Sequence, residues 1–70
     1  MATYTGHSPV GELGRITVPI PLAGPGEVLV PVRGGTEAFA AWASQPIAKH
    51  SIVLVLTELS GRSVLVTPYP

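Results

Sequence analysis

Short stretches in which apolar and other residues alternate constrain the fold of this chain more than any other feature. Leu13–Ile20 alternates after its glycine, and Glu27–Arg33 alternates again. A period of two built on β-branched residues is typical of a strand with one buried face. Ile52–Leu56 is continuously apolar, which predicts a strand buried on both faces. Arg62–Thr67 follows Ser60–Gly61 and is predicted to be the second strand of a hairpin.

The alternation also predicts which side chains share a face. In the first strand, Ile16, Val18 and Ile20 point the same way. In the second strand, three valines share the inward face: Val28, Val30 and Val32. Leu29 and Pro31 lie on the opposite face. Because proline has no N–H to donate to a sheet, Pro31 and Pro19 are expected at positions without a strand on that side, or at bulges.

Glycine and proline must supply the turns, because the 70-residue chain contains neither Asp nor Asn. Eight Gly and eight Pro make 16 of the 70 residues, which is rich in turns. That share is still below the roughly 25–30% that marks low-complexity chains. Pro21–Gly26 and Gly34–Gly35 are predicted to be turns. The length allows one small domain.

Thr36–Ser44 can be interpreted in two ways. As a helix, Thr36 would cap it, and alanine is the best helix former. As a strand, the segment would place Phe39 and Ala41 on one side and Trp42 on the other. Local propensity favours the helix, although two turns of helix are marginal by themselves.

Several strands carry apolar residues on both faces, which favours a closed sheet over an open one. The apolar residues that place such side chains on both faces include Leu29, Leu54, Leu56 and Leu65. Closing the sheet into a barrel covers one set of apolar residues and removes the open edges. A domain of this size buries only about 60% of its unfolded surface, so we expect modest stability.

Composition and charge exclude several classes of protein. Four Lys/Arg residues balance four acidic residues, so there is no large cationic excess for binding phosphates. Without cysteine, the chain is neither a disulfide scaffold nor a cysteine-based metal site. The longest uncharged stretches, Ile16–Gly26 and Ala38–Ala48, are far shorter than the about 20 apolar residues of a membrane-spanning helix. Met1–Gly11 lacks the basic start and apolar run of a signal peptide.

The order and spacing of these segments resemble the C-terminal domain of the NfeD family over Val10–Pro68. The matching stretches are GELGRITVPI, PGEVLV, GGTEAFAAWASQPIAKHSIVLVL and GRSVLVTP. The family pattern opens with Gly-x-x-Gly, here Gly11 and Gly14, and continues with a Gly-x-Val second strand, here Gly26 and Val28. The remaining matches are Ala38–Ala43, Ile47 and Gly61. Order and spacing together carry the resemblance, because no single motif is specific.

The resemblance implies an all-β fold, a small five-stranded OB-like β-barrel over residues 11–68, preceded by a flexible tail or linker remnant at residues 1–10. It makes Thr36–Ser44 the third strand, against the local propensity. One position departs from the family pattern. His50 stands where the family usually has glycine, and a histidine takes the left-handed conformation only at a cost that glycine avoids.

The resemblance also implies a function. Family members are usually membrane-anchored, with the barrel outside the bilayer, and are often associated with scaffold proteins of the stomatin, prohibitin or flotillin type (SPFH proteins). This chain is therefore expected to be a non-catalytic protein-interaction module, anchored through a segment that the chain does not contain. Some members carry a serine-protease domain, but nothing here matches it. No catalytic residue is carried over, and no cofactor is expected.

An oligonucleotide- or small-ligand-binding domain is the alternative, and a purely structural, self-associating domain is a third possibility. Oligonucleotide binding needs a basic groove and aromatic platforms. The cations are Arg15, Arg33, Lys49 and Arg62, and the aromatic residues are Tyr4, Phe39, Trp42 and Tyr69. This small and balanced set leads us to expect no nucleic-acid partner.

Metal binding and catalysis lack a supporting pattern. His7 and His50 are far apart in the sequence and share no ligand spacing. A set of Ser51, His50 and Glu58 can be named, but adjacent residues of a strand point to opposite faces. We therefore expect neither a metal site nor an enzyme.

Two residues are candidates for contact with a protein partner. If Phe39 and Ala41 fill the barrel, Trp42 points outward among small residues and is a candidate hot spot, unless a loop or the N-terminal tail covers it. Leu29, together with Pro31, forms a second outward apolar set. This set either marks an interface or packs under the Pro21–Gly26 loop.

Overall fold

The computed structural model describes residues 8–32 and 34–70, which form five β-strands and no helix. The strands are β1 (Leu13–Val18), β2 (Gly26–Val32), β3 (Gly35–Trp42), β4 (Ile52–Glu58) and β5 (Ser63–Pro68). The prediction of a small all-β, five-stranded barrel is confirmed. Thr36–Ser44 lies mostly in β3, where pairing with β2 from Gly35 to Ala41 overrides the local helix propensity.

The strands close into a barrel in the order β1-β2-β3-β5-β4, with β4 returning to β1. All neighbours are antiparallel except β3 and β5, which run parallel over a short segment. The closing pair places Leu13 opposite Leu54 and Arg15 opposite Ile52. Closure gives each strand a neighbour on both sides over part of its length, so the sheet has no edge strand.

The inward faces of the strands fill the barrel with aliphatic side chains around one aromatic ring. The buried core consists of Ile16, Ile20, Val28, Val30, Phe39, Ala41, Ile47, Val53, Val55, Val64 and Val66. Ile47, in the connector before β4, exchanges two backbone hydrogen bonds of 2.9 and 3.0 Å with Ile20. This bridge holds the connector against the chain that leaves β1.

A bulge in β1 reverses the direction predicted for one side chain, that of Val18. Ile16 pairs with Val28, but the next pair in register joins Val18 to Glu27. The extra residue turns Val18 out of the barrel, where its side chain is 49% exposed, whereas Ile16 and Ile20 are buried. The prediction that Val18 points the same way as Ile16 and Ile20 was therefore wrong, because a bulge shifts the alternation by one residue.

The continuous apolar run of β4 is buried on one face only. Val53 and Val55 point into the core, but Ile52 and Leu56 are 44% and 46% exposed. The prediction that this strand is buried on both faces was wrong. Its outer face lies on the outside of the barrel, and no further layer of the described residues covers it.

Pro31 lies where the sequence pattern requires it. The pairing of β1 with β2 ends at Leu29, so Pro31 has a partner strand only on the β3 side, opposite Thr36. On the β1 side of Pro31 there is therefore no ladder that its missing N–H could interrupt. Pro19 follows the last residue of β1 and likewise stands outside the ladder.

His50 forms the tight turn before β4 although it is not a glycine. Its φ of 76° lies in the left-handed region. Its N–H donates to the carbonyl oxygen of Ile16 at 2.7 Å, and the Ile16 N–H donates to the Ser51 carbonyl oxygen at 2.9 Å. These two bonds pin the turn to β1 and hold the backbone in a conformation that a histidine alone would avoid.

We expect His50→Gly to raise the free energy of unfolding by about 0.5–1 kcal/mol. Relief of the left-handed strain, about 1–2 kcal/mol, outweighs the greater freedom of glycine in the unfolded chain. Urea unfolding followed by Trp42 fluorescence measures the change. His50→Val is the comparison, because its β-branched side chain raises the strain, and it should be less stable than the parent. A glycine variant less stable than the parent would contradict the prediction.

Several residues named in the sequence analysis lie outside the described ranges. Most of the predicted tail, residues 1–10, lies there together with Tyr4 and His7, and Arg33 lies in the gap between the two ranges. Of the described residues in the predicted tail, Pro9 is buried and its carbonyl oxygen accepts the Glu12 N–H at 3.1 Å.

Candidate functional site

Trp42 ends β3 on the outside of the barrel. Phe39 and Ala41 are 7% and 0% exposed and fill the interior, whereas Trp42 is 39% exposed. The parallel pairing of β3 with β5 sets Trp42 beside Leu65, whose side chain is half-buried. We call this pair the Trp42–Leu65 surface. The outward direction expected from the alternation is observed, and the role of Trp42 in partner contact stays a prediction.

Leu29 lies in an open groove on a different part of the outer surface. The groove has a volume of about 570 Å³ and is lined by Leu13, Gly14, Arg15, Leu29, Pro31, Thr36 and Ile52. We call it the Arg15 groove. None of its lining residues belongs to the Pro21–Gly26 loop, the segment that the sequence offered as a cover for Leu29.

Strand register explains why these side chains meet. Arg15 of β1 pairs with Leu29 of β2 on one side and with Ile52 of β4 on the other. Paired residues of neighbouring strands point to the same face, so the three side chains form a row across the outer surface. The other walls come from residues two positions along the strands: Leu13 on β1 and Pro31 on β2.

Gly14 brings β1 close to β2 at the groove. A Cβ atom at this position would lie 2.7 Å from Val28 Cγ2 and 2.8 Å from the Leu29 carbonyl oxygen. Only glycine allows that approach. This close approach determines how near Arg15 and Leu13 of β1 lie to the Leu29 side chain of β2.

The charge of the groove comes from Arg15. Its lining holds no carboxylate, and Thr36 is its other polar side chain. The ion pair found in the described part of the chain lies elsewhere and joins Arg62 Nη2 to Glu37 Oε2 at 3.7 Å. The groove is therefore apolar with a single exposed cation.

Arg62 has a structural role at the seam between β3 and β5. Its Nη2 also donates to the Ala38 carbonyl oxygen at 3.3 Å, and its guanidinium carbon lies 5.1 Å from the centre of the Phe39 ring. The Ala40 N–H donates to the Arg62 carbonyl oxygen at 2.9 Å, at the start of the parallel pairing. Arg62 thus covers the core ring and the edge of β3 just before the pairing begins.

The described residues contain no group of three or more His, Cys, Asp or Glu side chains that could hold a metal ion. The sequence offered a set of three residues: His50, Ser51 and Glu58. Within residues 8–32 and 34–70, no side-chain hydrogen bond joins any two of them. Over those same ranges, no helix has the length and apolar character to cross a bilayer.

Sequence reasoning placed Trp42, Leu29 and Pro31 on the outer surface but did not identify the other five residues that line the groove: Leu13, Gly14, Arg15, Thr36 and Ile52. The alternation of β1 sets Arg15 on the face opposite to Ile16. Arg15 meets Ile52 because β1 pairs with β4, and no local sequence pattern reveals that pairing.

Comparison with known proteins agrees with this architecture. The barrel is similar to the solution structure of the soluble domain of the NfeD protein YuaF from Bacillus subtilis, with a TM-score of 0.72 and 33% sequence identity. The similarity covers 84% of this chain and 71% of that chain. A comparison with curated protein sequences gives no match. The NfeD C-terminal domain family matches residues 13–67, which is most of the chain, and the chain therefore belongs to that family.

Proposed function

We propose that this domain is a non-catalytic protein-interaction module of a membrane-anchored NfeD-type protein, and that its partner is a scaffold protein of the stomatin, prohibitin or flotillin type. Membership of the NfeD C-terminal domain family supports the general assignment. The described residues offer two outward apolar surfaces to a partner, namely the Trp42–Leu65 surface and the Arg15 groove.

The exposed position of Trp42 is the observation that carries the proposal. A tryptophan buries 150–250 Å² when fully covered and is over-represented among residues that dominate interface energies. Trp42 leaves 39% of its surface uncovered next to Leu65. A partner that covers this surface gains apolar contact without any rearrangement of the barrel.

Oligonucleotide binding is less well supported. Of the cations within residues 8–32 and 34–70, Arg62 is engaged with Glu37 and the Phe39 ring. The lining of the Arg15 groove contains no aromatic ring for base stacking. Salt-sensitive binding of single-stranded DNA in a fluorescence anisotropy titration would reverse this ranking.

We expect Trp42→Ala to weaken scaffold binding by about 30-fold, the effect of losing about 2 kcal/mol at an interface hot spot. The measurement uses the full-length protein in membranes and purified stomatin-, prohibitin- and flotillin-type proteins of the same organism. Leu22→Ala is the matched control, since Leu22 is 81% exposed in the Pro21–Gly26 loop, outside both surfaces. A folded Trp42→Ala protein that binds every scaffold with the parental affinity would remove the proposal.

A further inference from the structure

We propose that the Arg15 groove binds an extended apolar segment of a protein partner that carries one carboxylate, and that Arg15 forms the ion pair with this carboxylate. The inference rests on the proposed function, because it names the chemistry of the partner segment. It adds a specific binding site that is separate from the Trp42–Leu65 surface.

The dimensions of the groove fit a peptide segment. Its volume of about 570 Å³ lies within the range of about 300–1,000 Å³ found for ligand pockets, which is room for a few side chains. It runs across the outer face from β4 through β1 and β2 to β3. Neighbouring strands are about 4.8 Å apart, so roughly five extended residues span it.

The walls offer apolar surface that the described part of the barrel leaves uncovered. Leu13 and Ile52 are 40% and 44% exposed, and the half-buried Leu29 lines the same groove on the other side of Arg15 from Ile52. Apolar residues scattered singly over a surface are normal. Here the three converge on one concavity, where one or two aliphatic side chains of a partner would cover them together.

The positive charge of Arg15 determines which partner segment the groove favours. Arg15 stands in the middle of the row, between Leu29 and Ile52. A guanidinium group binds a carboxylate through two parallel hydrogen bonds, and the bonds strengthen when apolar neighbours exclude water. No carboxylate in the lining competes for it. A lysine in the bound segment would instead face a like charge.

A second copy of the chain fits this surface less well. A two-fold contact places the same patch on both sides of the interface. Such a contact through the groove would bring two Arg15 side chains together, with no lining carboxylate to neutralise them. A partner segment with the opposite charge avoids that repulsion.

The test uses three acetylated and amidated peptides of about eight residues, in which valine and serine alternate around a central aspartate, asparagine or lysine. Each is titrated into the ¹⁵N-labelled chain, and the shifts of the Gly14 and Thr36 amide signals report the groove. We expect the aspartate peptide to bind at least about tenfold more tightly than the lysine peptide. Arg15→Glu should reverse this order.

Lys49→Glu is the matched control, because Lys49 is an exposed cation outside the groove, and this variant should keep the parental order. The proposal is overturned if the central charge does not affect affinity, if Arg15→Glu keeps the parental order, or if no peptide binds at millimolar concentration. It is also overturned if the shifts map to the Trp42–Leu65 surface, or if light scattering detects a dimer that Arg15→Glu dissociates.

Scaffold binding by the same variants separates the two proposals. If Trp42→Ala loses scaffold binding and Arg15→Glu keeps it, the proposed function stands and the groove proposal falls. If the peptides bind with the expected charge preference and no scaffold protein binds, the groove chemistry stands and the proposed function falls.

Discussion

Replacing Gly26 by alanine is expected to lower the free energy of unfolding by about 3 kcal/mol. A Cβ atom at Gly26 would overlap the Val18 carbonyl oxygen and lie 2.6 Å from the Pro19 carbonyl oxygen. Both are backbone atoms, so no side-chain rotation relieves the clash. The end of β1 and the start of β2 must separate, next to the bulge where β1 leaves the sheet.

That loss is a large share of the total, because a 70-residue domain is expected to have only about 4–10 kcal/mol of stability. Urea unfolding followed by circular dichroism measures it. Gly35→Ala is the control, since Gly35 also lies in a strand, has no left-handed φ, and its added Cβ would meet nothing within 4 Å. The control should change stability by less than about 0.5 kcal/mol. Equal stabilities of the two variants would mean that β1 and β2 are not in close contact at Gly26.

Four of the five strands were predictable, because β1, β2 and β5 carry period-two alternation of β-branched residues and β4 begins with a short continuous apolar run. β2, for example, keeps Val28 and Val30 buried and leaves Pro31 exposed, as the alternation requires. For β3, local propensity pointed to a helix, and only the resemblance to a family indicated a strand. Its alanines favour a helix. Pairing decides for a strand, both with β2, its neighbour in the chain, and with β5, which lies farther along the chain.

Bulges limited how well the inward or outward direction of each side chain could be predicted. Val18 alternates correctly with Ile16 in the sequence, but the irregular register between them turns it outward. A similar irregularity lies between Val55 and Thr57 of β4. Bulges depend on how two strands twist against each other, and that information is not contained in either strand alone.

The outward direction of the two candidate residues followed from the alternation, whereas the groove beside Leu29 depends on the closed barrel. Trp42 and Leu29 were predicted on outer faces, which is where they lie. The groove exists because β4 returns to β1 and brings Ile52 beside Arg15. These two residues are far apart in the sequence, and no spacing rule connects them.

Phe39→Ala is the second change with a large expected effect, a loss of about 3–5 kcal/mol in the free energy of unfolding. Phe39 is the one aromatic ring of the described core, and its neighbours there are aliphatic. Valine and alanine side chains are too short to fill the space that the ring leaves. Loss of the ring also removes the contact with the Arg62 guanidinium at 5.1 Å, which helps to hold β5 against β3.

Trp42→Ala provides the comparison on the same strand, because it truncates a larger aromatic side chain that faces outward. It should cost less than about 2 kcal/mol, since much of the tryptophan surface is already hydrated. Phe39→Leu, which keeps most of the volume, should cost less than about 1.5 kcal/mol. Thermal and urea unfolding by circular dichroism measure all three. If the two alanine variants are equally unstable, the assignment of Phe39 to the inside and Trp42 to the outside fails. The partner surface built on Trp42 then fails with it, because a tryptophan that stabilises the barrel as much as the core ring is not free to contact another protein.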